Sequence, residues 1–163
     1  MRAPRATAPR IPPGYGTPRD GSGGELLPWE RAIERLVAAR NYWICSTRAD
    51  GRPHAMPVWG LWLDDALWFS TGRDSLKARN LARDPSIVVH LESGDDTVIL
   101  EGRAEEERDG GRLERFADAY DAKYAFRPDP ADTASPVFVV RPRVALTWEE
   151  RDYPHTATRW LFE

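Results

Sequence analysis

Cysteine is almost missing from this chain. Cys45 stands alone among 163 residues, which excludes an internal disulfide and any cysteine cluster for zinc. Its setting, WICST, holds no histidine or cation to favour a thiolate, so it reads as a small buried hydrophobe in a strand. No apolar run approaches the roughly 18–20 residues of a membrane span, and no membrane partner is expected. A basic excess is absent too: 23 Lys and Arg stand against 26 Asp and Glu, for a net charge of −3. A general nucleic-acid binder, whose footprint is basic, is therefore not expected. His54, His90 and His155 show no HxxxH or HExxH spacing, and the acids between Leu100 and Asp109 follow no EF-hand pattern. No metal is expected. Nothing resembles a nucleophile–base–acid triad, and no Gly-rich dinucleotide fingerprint or strand–helix alternation points to a doubly wound sheet.

Proline, glycine and arginine crowd the first 27 residues, MRAPRATAPRIPPGYGTPRDGSGGELL, with almost no apolar periodicity. Such a segment buries too little surface to offset its ordering entropy, so a flexible tail is expected over 1–27 and one domain over 28–163. No apolar h-region follows the early arginines, which argues against a secretory signal; transit peptides share the Arg-rich, acid-poor start. The expected location is cytoplasmic. Seven tryptophans are more than a small core needs and suggest a subunit interface as well.

Periodicity places a helix from Pro28, with Trp29, Ile33, Leu36 and Val37 on one face. A strand over Tyr42–Thr47 ends in the hairpin signal Ala49-Asp50-Gly51. Pro53–Leu63 reads as a long second strand, with Pro57 requiring an edge or a bulge. Leu67–Ser70, Ile87–Glu92, Thr97–Glu107, Val137–Trp148 and Thr156–Phe162 read as further strands. A short helix spans Asp74–Asp84, with Asp74 or Ser75 as its N-cap, and an amphipathic one starts at Asp109, with Leu113, Phe116, Ala117, Tyr120 and Tyr124 on one face. Short, mostly hairpin-linked strands imply a mostly β (α+β) fold: a six-stranded antiparallel split β-barrel with two or three flanking helices.

The chemistry concentrates where the short helix opens. Thr71, Gly72 and Ser75 surround its start, Lys77 sits in its first turn, and Arg79 and Asn80 follow. Helix dipole and ammonium both favour an anion there; a capped helix with a solvated basic face, KARNLAR, explains the same residues. His90 in VVH reads as a satisfied core histidine, and His155 as a loop residue.

The run FSTGRDSLKARNLARDP is similar to the pattern F-[YS]-T-x-x-x-S-x-K-x-x-x-L-x-x-x-P of the pyridoxamine 5'-phosphate oxidase-like FMN-binding split barrels. The resemblance extends from about Trp29 to Phe162. It implies that Met56, Pro57, Val58 and Trp59 run along an isoalloxazine ring. Ser70 and Thr71 would meet the phosphate or ribityl chain; Lys77, with Ser75, Arg79 and Asn80, would surround the phosphate. Thr97 would approach the ring, and a second subunit would contribute Trp148 and Arg159. Leu76 stands where such enzymes carry an arginine beside the lysine, which removes a bidentate phosphate fork. GRPHAMPVWG, LWFSTG, KARNL and VVHLESGDD resemble instead the actinobacterial branch that uses the deazaflavin coenzyme F-420. Its longer anionic tail would meet Lys77, Arg79 and the Arg-rich N-terminal segment. The C-terminal Arg-Leu-x-Pro of true pyridoxamine phosphate oxidases is replaced by Arg159-Trp160-Leu161-Phe162-Glu163.

The resemblance therefore implies a homodimeric oxidoreductase with coenzyme F-420, or alternatively FMN, at its subunit interface. It would pass a hydride between that ring and an unsaturated small organic substrate. No catalytic residue is assigned; His54 is the candidate for proton delivery because its strand should pass near the ring. The alternative is a non-catalytic flavin- or deazaflavin-binding carrier of the same fold.

Overall fold

The computed structural model describes residues 4–9, 26–153 and 155–163. In chain order the elements are β1 (Arg5–Thr7), α1 (Trp29–Ala38), β2 (Asn41–Thr47), β3 (Pro53–Leu63), β4 (Ala66–Ser70) and α2 (Leu76–Arg83). They continue as β5 (Ser86–His90), β6 (Asp96–Glu106), α3 (Gly110–Tyr124), β7 (Val137–Glu149) and β8 (Thr158–Leu161). Strands β2 to β7 run antiparallel in the order β7-β4-β3-β2-β5-β6, and β6 returns to β7 to close a six-stranded barrel. The expected mostly β barrel with flanking helices is what forms. No helix among the described residues is long and apolar enough to cross a membrane.

Alternation along the strands creates two cores. Leu67 and Phe69 of β4, with Phe138 and Val140 of β7, point into the barrel beside Tyr42, Ile44, Val89 and Leu100. The intervening Ala66, Trp68, Val137 and Val139 point outward onto Phe116, Tyr120 and Tyr124 of α3. Period-two strands present opposite faces in this way, and α3 covers one outer face of the barrel. Asp109 caps α3 by accepting from Arg112 N, and Ser75 caps α2 by accepting from Ala78 N. The β6–β7 ladder bends at Glu101/Gly102. There a Cβ on Gly102 would lie 2.4 Å from the Arg141 carbonyl oxygen, so the close strand approach requires glycine.

Several expectations shift. The short helix begins at Leu76, because Ser75, of the two expected caps, supplies it. On α1 the buried residues are Trp29, Ala32 and Leu36, while Val37 is 54% exposed; small Ala32 lets the helix lie close to the barrel. Arg5–Thr7, inside the expected tail, is a strand against β8: Thr7 Oγ1 donates to the Arg159 carbonyl at 3.1 Å, and Ala6 packs on the core. The rest of that expectation, over residues 1–3 and 10–25, lies outside the described residues. Cys45 is half-buried rather than buried, and burial pushes its thiol up.

Candidate functional site

β3 changes partners midway. Residues 53–59 pair only with β2, and Gly60–Leu63 pair with β4. The first half is therefore a sheet edge, which accommodates Pro57 without losing a ladder bond. Along this edge, an apolar ledge, Met56 and Trp59 are 44% and 38% exposed on opposite faces of the strand. The ledge is anchored at its far end. Trp59 stacks on Tyr124 of α3 with ring centroids 4.7 Å apart, and the Arg40 guanidinium lies 5.0 Å from the indole centroid. Tyr124 Oη accepts from Gly60 N at 3.0 Å and donates to Gly60 O at 2.7 Å, fixing the point where β3 switches partners.

At the near end of the ledge lies the mouth of α2. Lys77 lies in its first turn, and Lys77 and Arg48 of the β2–β3 turn both act electrostatically on His54 of β3. His54 lies opposite Ser46 across the ladder, so both share one face. The Ser46 hydroxyl in turn accepts from the buried Asn80 amide at 3.0 Å, bringing α2 against this end of the barrel. Lys77 and Arg48 form no ion pair among the described residues. His54 Nδ1 is buried with no hydrogen-bond partner. Burial first, then Arg48 and Lys77, holds its pKa below the ordinary histidine value. The helix start and the Lys77 ammonium suit an oxyanion.

The remaining expected contacts divide. Met56, Pro57, Val58 and Trp59 lie on the ledge, beside the seat. The Ser70 hydroxyl donates to the Ser135 carbonyl at 2.9 Å, and Thr71 Oγ1 and Ser75 Oγ bond one another at 3.1 Å. Arg79 donates to the Asp74 carbonyl at 2.7 Å, and Asn80 points inward. These five serve the local structure of the α2 entry. Thr97 is buried, donates to the Gly94 carbonyl and pairs with Trp148 across β6 and β7. Arg159 lies on β8, three strand positions from β3 in the sheet order, a path of roughly 14 Å at about 4.8 Å per strand. Trp148 packs on Tyr153, and Arg159 lines a groove with Ser46 and Thr47. His90 is half-buried, stacks on Trp43 and uses Nδ1 on the Leu91 carbonyl; His155 pairs with Asp152. No group of three or more His, Cys, Asp or Glu among the described residues is arranged to hold a metal ion.

The ladder registers place Pro57, Trp43, His90, Ile99, Leu146 and Arg159 in one transverse row. Directly opposed residues share a face, and here it is the outer face that α3 leaves bare. The next row is Ala55, Cys45, Val88, Glu101, Val144 and Leu161. Along this face a groove of about 740 Å³ holds Arg103, Arg143 and Arg159. Two functional features were not visible in the chain: Arg48, which reads as a solvated turn residue, and this face, which only the pairing order reveals.

A closed antiparallel barrel with a cationic seat beside a free strand edge is a split barrel. The family model described as "Pyridoxamine 5'-phosphate oxidase" matches residues 30–149, and the chain belongs to that family. Among solved structures, it is similar to the conserved hypothetical protein Rv2991 from Mycobacterium tuberculosis. That match has a TM-score of 0.69 and 22% identity, over 80% of this chain and 89% of the other. It is also similar to an F420 reductase, with a TM-score of 0.55 and 22% identity over 69% and 94%. A third match is general stress protein 26 from Bacillus anthracis, with a TM-score of 0.59 and 21% identity over 73% and 92%. At these identities the likeness is one of fold. Comparison with curated proteins gave no significant match.

Proposed function

We propose that this protein is a homodimeric oxidoreductase that binds coenzyme F-420, or alternatively FMN, between two split barrels. The observation that carries the reading is the α2 mouth, where Lys77, unpaired among the described residues, and Arg48 stand beside an orphaned His54 nitrogen at the start of an exposed apolar ledge. The cations suit the anionic part of such a cofactor: Lys77 and Arg48 offer charge. Met56 to Trp59 offer a flat apolar edge for a planar ring. When bound, the cofactor supplies hydride transfer to or from an unsaturated small organic molecule. The protein's part is to hold the anionic end at Lys77, keep the ring against β3 and exclude water from its face.

The bare outer face supports the dimer. Trp43, Val88, Ile99, Leu146 and Leu161 are half-buried apolar residues on a sheet with no covering helix, and an uncovered face of this kind suits a second copy. A partner subunit would bring Trp148 and Arg159 to the seat.

A non-catalytic carrier is the second reading. It is favoured by the local engagement of Ser70, Thr71 and Ser75, which leaves His54 as the one uncommitted side chain there with a titratable proton near neutral pH. The test is the absorption spectrum and mass of the chromophore that copurifies. Reduction of the loaded protein, followed by mixing with unsaturated acceptors, separates the readings. Reoxidation faster than in buffer supports the enzyme, and equal rates for every acceptor support the carrier. A colourless protein that takes up neither F-420 nor FMN contradicts both.

A further inference from the structure

The groove of about 740 Å³ on the face that α3 leaves bare gathers Arg103 of β6, Arg143 of β7 and Arg159 of β8. Three neighbouring strands thus contribute one guanidinium each. Among the described residues none of the three forms an ion pair or a side-chain hydrogen bond. Glu101 is the one carboxylate among the described residues that lines the groove, and it pairs with none of them. Asp84 acts on Arg103 from the end of α2 without forming an ion pair. At that end Arg83 adds a fourth guanidinium, which donates to the Thr47 carbonyl at 2.6 Å. This concentration of positive charge stands on a chain whose net charge is −3.

A backbone irregularity aims the middle cation. Glu101 pairs with Val144 and Gly102 with Pro142, so Arg143 is an extra residue that the ladder skips. Bulges of this kind re-aim a side chain. The Arg143 carbonyl accepts from Phe162 N at 3.1 Å, which pins the bulge to the chain beyond β8. The registers also set the spacing. Arg159 lies in the row of Ile99, and Arg103 is four residues further along β6. At about 3.3 Å per residue and about 4.8 Å per strand, Arg103 and Arg159 stand roughly 16 Å apart on a diagonal, with Arg143 between them.

We propose that this diagonal binds an extended organic oligoanion, a chain that carries carboxylates at intervals of roughly 7 Å. Side groups on one side of an extended peptide recur at that interval, every second residue, so three of them meet three arginines. Guanidinium and carboxylate match as bidentate pairs. Val88, Val144 and Leu161 are half-buried in the groove and offer an apolar floor to the ligand's stems. A polyphosphate, charged at every link, would leave most of its charges unmatched there. The inference is independent of the cofactor reading, because Lys77 and the β3 ledge do not line the groove; Arg159 is the one residue common to both. It bears on the dimer as well. A second copy on this face would gather two such sets of cations, and the oligoanion supplies the missing counter-charge.

The experiment is a calorimetric titration of the full chain with pentaglutamate, glutamate or tripolyphosphate at low salt. Pentaglutamate spans about 16 Å and carries three side-chain carboxylates on one side when extended. It should bind one per chain, at least about tenfold more tightly than glutamate, and lose affinity as salt rises. Arg143→Gln and Arg103→Gln, both at exposed positions, should each weaken it about tenfold. Arg115→Gln removes the same charge from α3, where Arg115 pairs with Asp64, and should leave the affinity unchanged. No binding of pentaglutamate, or equal affinity for glutamate, overturns the proposal and leaves the groove to the second copy. Equal losses in all three variants show a general charge effect and overturn it too. Tighter binding of tripolyphosphate than of pentaglutamate overturns the assignment to carboxylates.

Discussion

Lys123 offers a sharp test of the clamp that holds the ledge in place. Its ammonium donates to Tyr42 Oη at 3.1 Å and to the Gly60 carbonyl at 3.2 Å, between α3 and β3. Burial lowers its pKa from 10.5 to about 8, so the folded protein releases this proton more readily than the unfolded chain. At pH 7 both states are charged, and folding bears the full cost of desolvation. A gap of this size is worth at most about 3 kcal/mol, reduced to about 1–2 kcal/mol by the water that reaches a half-buried group. Between about pH 8 and 10.5 the unfolded chain keeps a proton that the folded one has lost, so stability rises with pH. Tyr120 acts in the opposite sense. Burial, with Tyr124 adding, pushes it up to about 12, and above pH 10 the unfolded tyrosine ionises first, so stability falls. Urea unfolding followed by tryptophan fluorescence should therefore give a midpoint that climbs from pH 8 to 10 and then turns down. Lys123→Met should be more stable than the native chain by about 1–2 kcal/mol at pH 7 and should lack the climb. Gly60 O keeps Tyr124 Oη as a donor, and Tyr42 Oη still donates to the Leu36 carbonyl. A flat native profile from pH 8 to 10, or a Lys123→Met variant destabilised at pH 7, would refute this reasoning.

Three further outcomes are expected. Trp68 is 1% exposed and donates Nε1–H to the Leu63 carbonyl at 2.9 Å, so Trp68→Ala should cost about 3–5 kcal/mol in urea unfolding; a loss below about 1 kcal/mol would remove the α3 core as a stability element. Gly102→Ala forces the β6–β7 bend apart against the Arg141 backbone and should cost about 1–3 kcal/mol; unchanged stability would show that the bend relaxes freely. Finally, mixed dimers of Lys77→Ala and Arg159→Ala chains should recover one intact cofactor site of two, and no recovery would contradict a shared pocket.

Much of the barrel was legible because its signals are local. Pro53–Leu63 has the bounds that its alternation and flanking turns suggest. The turn after Ala49-Asp50 closes with Gly51 at φ +82°, its N–H donating to the Arg48 carbonyl. Asp109 announced α3 through its acceptor side chain. What stayed hidden depends on distant partners. β1 has three residues and one apolar contact, too few for any period, and exists because β8 offers an edge. Closure of β6 on β7 joins segments separated by a whole helix. The α2 mouth was legible as a cationic helix start, yet Arg48 and the unsatisfied His54 nitrogen emerge only once the β2–β3 hairpin folds against α2. Serines and threonines near a helix start look like ligand contacts in a sequence; here Ser70, Thr71 and Ser75 hold the turn together.

The direct test of the account is an absorption-monitored titration of the native chain and of Lys77→Ala with F-420 and with FMN. Loss of one charge-assisted contact should weaken the better-bound cofactor by about 1.5–3 kcal/mol, or about 10- to 150-fold in Kd. An unaltered Kd in Lys77→Ala would contradict the seat at the α2 mouth.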